Sequence, residues 1–243
     1  MSSVLKISNL SKTFSKDSGE VHTLDNISLD VNDNEFVVVV GASGCGKSTL
    51  LNIICGIDKD YVGKIESKDN LNIGYMLQQD AMLPWLTIRD NCALGLKLLD
   101  KEDKKLVDSY LKKYNLWEFR DKYPYEISGG MRQRCALIRT LVTNPDILLL
   151  DEPFSALDYQ TRVKIEDDVY NIIKNENKSV IMVTHDLEEA VSMADKILVL
   201  SKRPAFIKNI YEIKLENSSS PINNRRDKNF NYYLNKLWVD LDE

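Results

Sequence analysis

The sequence predicts an α/β domain built on a mainly parallel sheet, and three observations predict it. First, "EFVVVV" (Glu35 to Val40), "DILLLDEP" (Asp146 to Pro153) and "SVIMVTHD" (Ser179 to Asp186) carry unbroken apolar runs, the pattern of strands covered on both faces. Second, helical spacing fills the gaps between the later strands, over about 159–175 and 187–194. Strands alternating with helices give a parallel sheet with helices on both faces. Third, "EFVVVV" runs without a break into the glycine-rich "GASGCGKS" and then an apolar helical pattern.

The elements follow in order. "VLKISNL" and "HTLDNISLDV" alternate apolar with polar residues and read as half-buried strands. After the glycine loop, "LNIGYML" is a further strand. From Thr87 to about Tyr114 the apolar residues recur at three and four, so the middle is helical. Ser128 reads as a helix N-cap, with Met131, Cys135, Ile138 and Leu141 or Val142 on the buried side of the helix beyond it. "KILVLSK" is the last core strand. The β-rich start and the helical middle are additions to the sheet. The expected division is one domain over 1–215, with a helical subdomain at about 86–143, then a loose polar linker from "ENSSSPINNRRDKNF" and a short amphipathic helix within 216–243.

Composition excludes several classes. The 243 residues are 43% hydrophobic, enough for a core without a metal or disulfide staple. The net charge of −5 argues against nucleic acid as a partner, since a basic surface supplies most of that affinity. Cys45, Cys55, Cys92 and Cys135 form no CxxC pair and read as reduced thiols. "MSSVLKISNLSKTF" alternates apolar with polar residues, unlike a signal peptide, and no apolar run approaches the ~20 residues that span a bilayer. Work at a membrane would therefore need a partner to hold the chain there.

"GASGCGKS" (Gly41 to Ser48) fits G-x-x-x-x-G-K-[ST] between a buried strand and a helix, the context in which that pattern binds nucleotide phosphates. Gly41, Ser43, Gly44, Cys45 and Gly46 let successive N–H groups face phosphate oxygens, and the helix starting near Lys47 adds its positive end. Lys47 is placed for the β- and γ-phosphates, Ser48 for Mg²⁺ and Thr49 for the α-phosphate. Asp151, at the end of "ILLLD", is placed to serve Mg²⁺ opposite Ser48. Glu152 follows it and, by strand alternation, points the other way, as suits a general base acting on water in line with the γ-phosphate.

"ISGGMRQR" (Ile127 to Arg134) adds a second anion site. Ser128 with the amides of Gly129 and Gly130 forms a helix N-terminus, and a plain cap would account for the serine but not for both glycines.

These motifs together resemble the ATP-binding-cassette ATPases, whose signature is LSGGQ-like and here reads Ile127-Ser128-Gly129-Gly130-Met131. The resemblance runs to about Lys214. "YMLQQD" is similar to the Q-loop, with Gln78 the matching glutamine; "SALD" (Ser155 to Asp158) to the D-loop; and "VTHD" places His185 as the switch histidine. Phe14 in "SKTF" matches the aromatic that stacks on adenine. The resemblance implies a parallel-sheet RecA-like core, an N-terminal antiparallel β-subdomain and an α-helical signature subdomain. It implies a head-to-tail pair of chains in which Ser128, Gly129 and Gly130 face the ATP of the opposite copy. It further implies that Gln78 contacts Mg²⁺ or the attacking water, that His185 bonds the γ-phosphate and orients Glu152, and that Asp158 bridges to the facing subunit. His22 reads as an exposed or turn residue with no role.

"AMLPWLTIRDN" after the Q-loop is unusually apolar for a surface loop. In the family this region, here Gln78 to Leu86, receives a helix of the transmembrane permease; alternatively Trp85 plugs the helical subdomain. "MLPWLT" with "LSKRPAFI" (Leu200 to Ile207) is similar to the nitrate, sulfonate and taurine import subfamily, despite Ala205 for the usual glycine, Leu77 for phenylalanine and Ile127 for leucine. The implied setting is a peripheral subunit on the cytoplasmic face of the cell membrane. It would hydrolyse ATP with a permease and, indirectly, a periplasmic or extracellular solute-binding protein. Importers of pyrimidine thiamine precursors share the pattern and stand as the alternative cargo. A soluble cassette ATPase is disfavoured, since about fifty residues separate Gln78 from Ser128, too few for a long coiled coil. A non-hydrolysing sensor is disfavoured by Lys47, Asp151, Glu152 and His185.

Overall fold

A computed structural model describes residues 3–16, 19–216 and 219–242. Two sheets carry the chain. The N-terminal strands β1 (Ser3–Lys16) and β2 (Gly19–Asn32) pair antiparallel, and β4 (Val62–Ser67) adds to the other edge of β1. The larger sheet contains β3 (Phe36–Val40), β5 (Ile73–Met76), β6 (Ile147–Asp151), β7 (Ser179–Thr184), β8 (Lys196–Leu200) and β9 (Ile207–Glu212), in the order β5-β6-β7-β3-β8-β9. The four pairings from β5 through β8 are explained by the unbroken apolar runs: every residue of β3, β6 and β7 is buried. These strands are parallel, while β9 closes the edge antiparallel to β8.

Both faces of that sheet are covered, which is why two apolar clusters exist. One holds Phe36, Val38 and Val40 with the helical middle; the other holds Val37, Val39, Leu149 and Ile181 with β1, β2 and α1 (Lys47–Ile54). Alternate residues of a single strand thus belong to opposite layers.

The helical stretch expected from Thr87 to Tyr114 is two helices, α2 (Ile88–Leu98) and α3 (Lys104–Lys113). Each starts at its own cap: Thr87 Oγ1 accepts from the Asp90 N–H at 3.1 Å and Asp103 Oδ1 from the Leu106 N–H at 2.9 Å. Then come α4 (Gly129–Leu141), α5 (Tyr159–Asn175) and α6 (Leu187–Met193).

One expectation is corrected. The polar stretch from Glu216 to Phe230 is not a loose linker over its described residues; 217 and 218 lie outside them, as does 243. The short helix α7 (Pro221–Asn224) packs on α5 and α6, and α8 (Phe230–Asp242) packs on α6. Its anchors are polar: Asn224 Nδ2 donates to Ser192 O at 2.7 Å and the Ile222 N–H to Asp167 Oδ1 at 3.2 Å. Buried hydrogen bonds do not show in a hydropathy pattern, so the composition alone resembles a linker.

Candidate nucleotide site at the strand ends

Parallel strands deliver their C-terminal ends to one edge, and ligand sites in such sheets form there. Four neighbouring strands of this sheet end in the expected motifs. In spatial order they are β5 before Gln78, β6 before Glu152, β7 before His185, and β3 before the glycine loop.

The glycine loop is shaped by backbone conformation. Gly44 has φ 73° and Gly46 φ 129°, both in territory where L side chains are strained. Lys47, 5% exposed, donates from Nζ to Gly41 O at 2.7 Å and Ala42 O at 3.1 Å. Its ammonium is thereby held against the loop. Cys45 is buried and its N–H donates to Ala42 O, so it is a small packing residue of the turn. Ser43 is exposed and Thr49 half-buried on α1.

Ser48 Oγ donates to Asp151 Oδ1 at 3.1 Å, and Tyr75 OH to Asp151 Oδ2 at 3.3 Å. Burial raises the Asp151 pKa above the ordinary carboxylate value, against the two hydroxyl bonds that lower it. A hydroxyl beside a carboxylate is a hard-oxygen donor pair, which suits Mg²⁺ together with phosphate oxygens and water. Tyr75 had no sequence signal beyond lying in a strand.

Asp151 and Glu152 do face different partners, but not through strand alternation. Glu152 lies beyond the end of β6 with φ 43°, its N–H donating to Val183 O at 3.0 Å. A left-handed glutamate is uncommon, and such conformations concentrate at functional sites. The turn brings Glu152 Oε2 within 3.1 Å of His185 Nδ1 and 3.3 Å of Gln78 Nε2. Gln78 and His185, from two other strand ends, therefore converge on one Glu152 carboxylate oxygen.

The signature sits apart. Ser128 caps α4, its Oγ accepting from the Met131 N–H at 3.3 Å. Among the described residues, no hydrogen bond or ion pair joins Ser128, Gly129 or Gly130 to the Lys47–Asp151–Glu152 cluster. A Cβ on Gly129 would lie 3.3 Å from Leu157 of the "SALD" turn. A Cβ on Gly130 would lie 2.5 Å from Ile165 Cδ1 and 2.7 Å from its Cγ1, so that glycine has an intrachain reason: it lets α4 meet α5. Gly130→Ala gains up to about 1 kcal/mol in helix propensity but overpacks at a cost of about 1–3 kcal/mol. The expected net is a lower melting temperature by a few degrees, recovered in part by adding Ile165→Val, as read by thermal unfolding.

Asp158 is exposed and caps α5 by accepting from the Thr161 N–H at 3.1 Å, a bond that lowers its pKa. Phe14 is half-buried, with Lys12 Nζ 4.6 Å from its ring centroid. Lys12 in turn is buried and paired with Asp58 and Asp60. His22 is exposed, the first of its two expected settings, and lies in β2, 2.8 Å from Thr13 Oγ1 through its Nδ1.

Trp85 does not plug the helical subdomain: it is 70% exposed, next to exposed Pro84 in the chain, and Leu77 before Gln78 is exposed as well. The loop is organised from below by Asn91, fully buried, whose Nδ2 donates to the carbonyls of Leu83, Leu86 and Thr87 at 3.0 Å and whose Oδ1 accepts from the Leu83 N–H at 2.8 Å. Asn91 escaped notice in the sequence because a lone asparagine on a helix reads as solvated. Arg132 and Arg139 of α4 bind Asp80 Oδ2 and the Asp80 and Ala81 carbonyls, tying the signature helix to the loop after Gln78. Among the described residues no helix is long and apolar enough to cross a membrane.

With this geometry in place, comparison with known proteins is direct. Residues 24–155 match the family described as ABC transporter. The chain is 42% identical over 217 residues to the aliphatic sulfonates import ATP-binding protein SsuB of Bacillus cereus, covering 87% of this chain and 86% of that protein. It is 39% identical over 233 residues to the nitrate import ATP-binding protein NrtD of Synechocystis sp., covering 92% and 88%. Among solved structures it resembles the ATP-binding cassette MJ0796, a dimer in a post-hydrolysis state bound to ADP and Pi. The TM-score is 0.72 at 31% identity, over 87% of this chain and 99% of that one. A phosphate loop, a paired carboxylate, a histidine and a glutamine at adjacent strand ends, with a separate serine-glycine helix start, thus have one explanation: the chain belongs to the ABC transporter family, as an ATP-binding subunit that hydrolyses ATP.

Proposed function

We propose that the chain drives import of a small anion, a sulfonate or nitrate, by closing in a head-to-tail pair around two ATP molecules beneath a membrane permease. The observation that carries the catalytic part is the convergence of Gln78 and His185 on Glu152 beside the glycine loop. The cargo class is supported by the names of the relatives and by the "MLPWLT" and "LSKRPAFI" segments.

In this reading the amides of Gly41 to Gly46 and the ammonium of Lys47 hold the phosphates, and Phe14 stacks on the adenine. Ser48, Asp151 and Gln78 would hold Mg²⁺, which supplies charge neutralisation on the phosphate oxygens when bound. Glu152 takes the proton of the attacking water. With Glu152 ionised, His185 Nδ1 must carry a proton to donate to it. Donation from the other ring nitrogen to the γ-phosphate then needs the doubly protonated ring. Ser128, Gly129 and Gly130 close over the ATP of the other copy, and Asp158 meets that copy at its "SALD" turn. The pairing of chains is supported by the separation of signature and phosphate loop within one chain, since two half-sites need two copies.

The loop from Leu77 to Trp85, exposed at both of those residues, forms the permease contact, and the subunit works at the cytoplasmic face of the cell membrane in this reading. A solute-binding protein delivers cargo to the permease without touching this chain. The test is reconstitution of the chain and its polytopic partner in vesicles with ATP enclosed on the subunit's side. Labelled alkanesulfonate or nitrate should move against its gradient only with hydrolysable ATP. Movement of a pyrimidine and neither anion would replace the cargo, and co-purification of no membrane protein would remove the transport reading.

A further inference from the structure

The C-terminal segment reaches the catalytic edge through two arginines. Arg225, just after α7, donates from Nη2 to Glu166 Oε2 at 2.5 Å; Glu166 on α5 is fully buried. One turn earlier on α5, Arg162 donates from Nη2 to Leu157 O at 3.1 Å and from Nη1 to Asp186 Oδ2 at 2.9 Å. A single guanidinium therefore spans the "SALD" turn and the residue that follows His185. Asp186 is itself fixed on both sides. Its Oδ1 accepts from the N–H groups of Glu188 and Glu189 at 2.9 and 3.2 Å, and its own N–H donates to Thr184 Oγ1 at 3.0 Å. His185 is held between two residues of this network.

Charge makes the arrangement conditional. Glu166, Asp186, Glu188 and Glu189 share two cations. Burial pushes Glu189 up to about 8, so it holds a proton at neutral pH and accepts from Thr184 Oγ1 at 2.6 Å. Burial also raises Glu166, against the Arg225 guanidinium that lowers it. Glu188 Oε2 lies 3.9 Å from Arg225 Nε, outside hydrogen-bond reach. The second oxygen of Glu166 is buried without a hydrogen-bond partner, so its ionised form depends on Arg225. Were Arg225 removed, Arg162 would be the cation left to neutralise a buried carboxylate one turn away on its own helix. Its Nε is buried without a hydrogen-bond partner, so it would be drawn toward that carboxylate and its guanidinium shifted from Leu157 and Asp186.

We propose that Arg225 is a positioning residue for ATP hydrolysis: by neutralising Glu166 it leaves Arg162 to hold the Ser155–Asp158 turn and the His185 turn in register. The inference rests on the roles assigned above to His185 and that turn. It makes the stretch after the core sheet part of the catalytic machinery rather than a tail.

The experiment measures Mg·ATP hydrolysis by the full chain with its membrane partner. Arg225→Gln should lower kcat roughly tenfold, the scale of a modest misplacement of catalytic groups, with the KM for ATP unchanged within about twofold. Arg225→Gln/Glu166→Gln, which removes the stranded carboxylate as well, should restore kcat. A wild-type kcat in Arg225→Gln overturns the proposal. So does a loss that the double variant fails to repair, since a purely structural strap would be weakened by both changes. If Arg225→Gln does not fold, the double variant decides alone: near-normal turnover supports the relay, and slow turnover or failure to fold overturns it. Glu152→Gln assayed in parallel separates the two levels. Normal turnover there sinks the site reading itself, whereas an inactive Glu152→Gln with a fast Arg225→Gln sinks only the relay.

Discussion

Glu152→Gln is expected to bind Mg·ATP with wild-type affinity while phosphate release falls by about 10²–10⁴-fold, the range contributed by a positioned general base. The amide keeps the shape of the side chain and can still accept from His185 Nδ1 through its oxygen, so the loop need not move. What it loses is basicity. If closure of the proposed pair depends on ATP and reopening on hydrolysis, the variant should also elute as a dimer with ATP and as a monomer with ADP. The measurements are phosphate release, binding of a fluorescent ATP analogue and size-exclusion chromatography. Two outcomes count against the reading. Unchanged turnover would take the base role from Glu152 and leave its left-handed backbone unexplained, and failure to dimerise with ATP would remove the shared site. The backbone matters to this argument. A glutamate at φ 43° pays strain that an ordinary surface turn would avoid with asparagine or glycine. The structure keeps it because that turn is what aims the carboxylate at Gln78 and His185 rather than at Ser48.

The candidate site at the strand ends was open to sequence reasoning because the chemistry proposed for it restricts residue type. Only glycines let backbone amides surround phosphate, and the proposed metal and proton work calls for acids, a histidine and a hydroxyl. The core strands were open for a related reason: β3, β6 and β7 are buried on both faces, so their composition is uniform. The strands that went unread are those with weak burial. β4 is exposed along nearly its whole length and β9 is an edge strand with half its residues in solvent, so neither shows an apolar period. The supports of the site were hidden for another reason. Asn91, Tyr75, Arg162 and Arg225 act through polar contacts with residues distant in sequence or through backbone carbonyls. Nothing in the identity of an asparagine or arginine marks it as a support of the site. The polar tail is the clearest case, since the composition that suggested a linker is what anchors it to α5 and α6.

Gly46→Ala is the second change expected to have a large effect, and it acts before any chemistry. Gly46 precedes α1 with φ 129° and ψ 10°, a conformation that a side chain makes costly by about 1–3 kcal/mol. Space compounds the cost. An added Cβ would lie 2.8 Å from Leu24 Cδ2 and 3.0 Å from Thr23 Cγ2, both on β2, whose residues Thr23 and Leu24 are buried. The leucine methyl can yield, but the threonine is short and its carbonyl accepts from the Ala205 N–H, so the backbone of β2 is fixed there. The turn itself must therefore shift, and with it the amides of the loop and Lys47, whose ammonium depends on the Gly41 and Ala42 carbonyls. A misaligned phosphate cradle loses several hydrogen bonds to charged oxygens, each contributing about 1.5–3 kcal/mol. The expected dissociation constant for ATP rises at least about a hundredfold, in a chain whose circular dichroism stays close to wild type because the sheet is built elsewhere. Lys47→Met provides the contrast: it removes one charge from an intact loop, so it should weaken ATP far more than AMP. Gly46→Ala should weaken ADP and ATP alike, and unaltered ATP binding in that variant would show that the loop does not need its left-handed glycine.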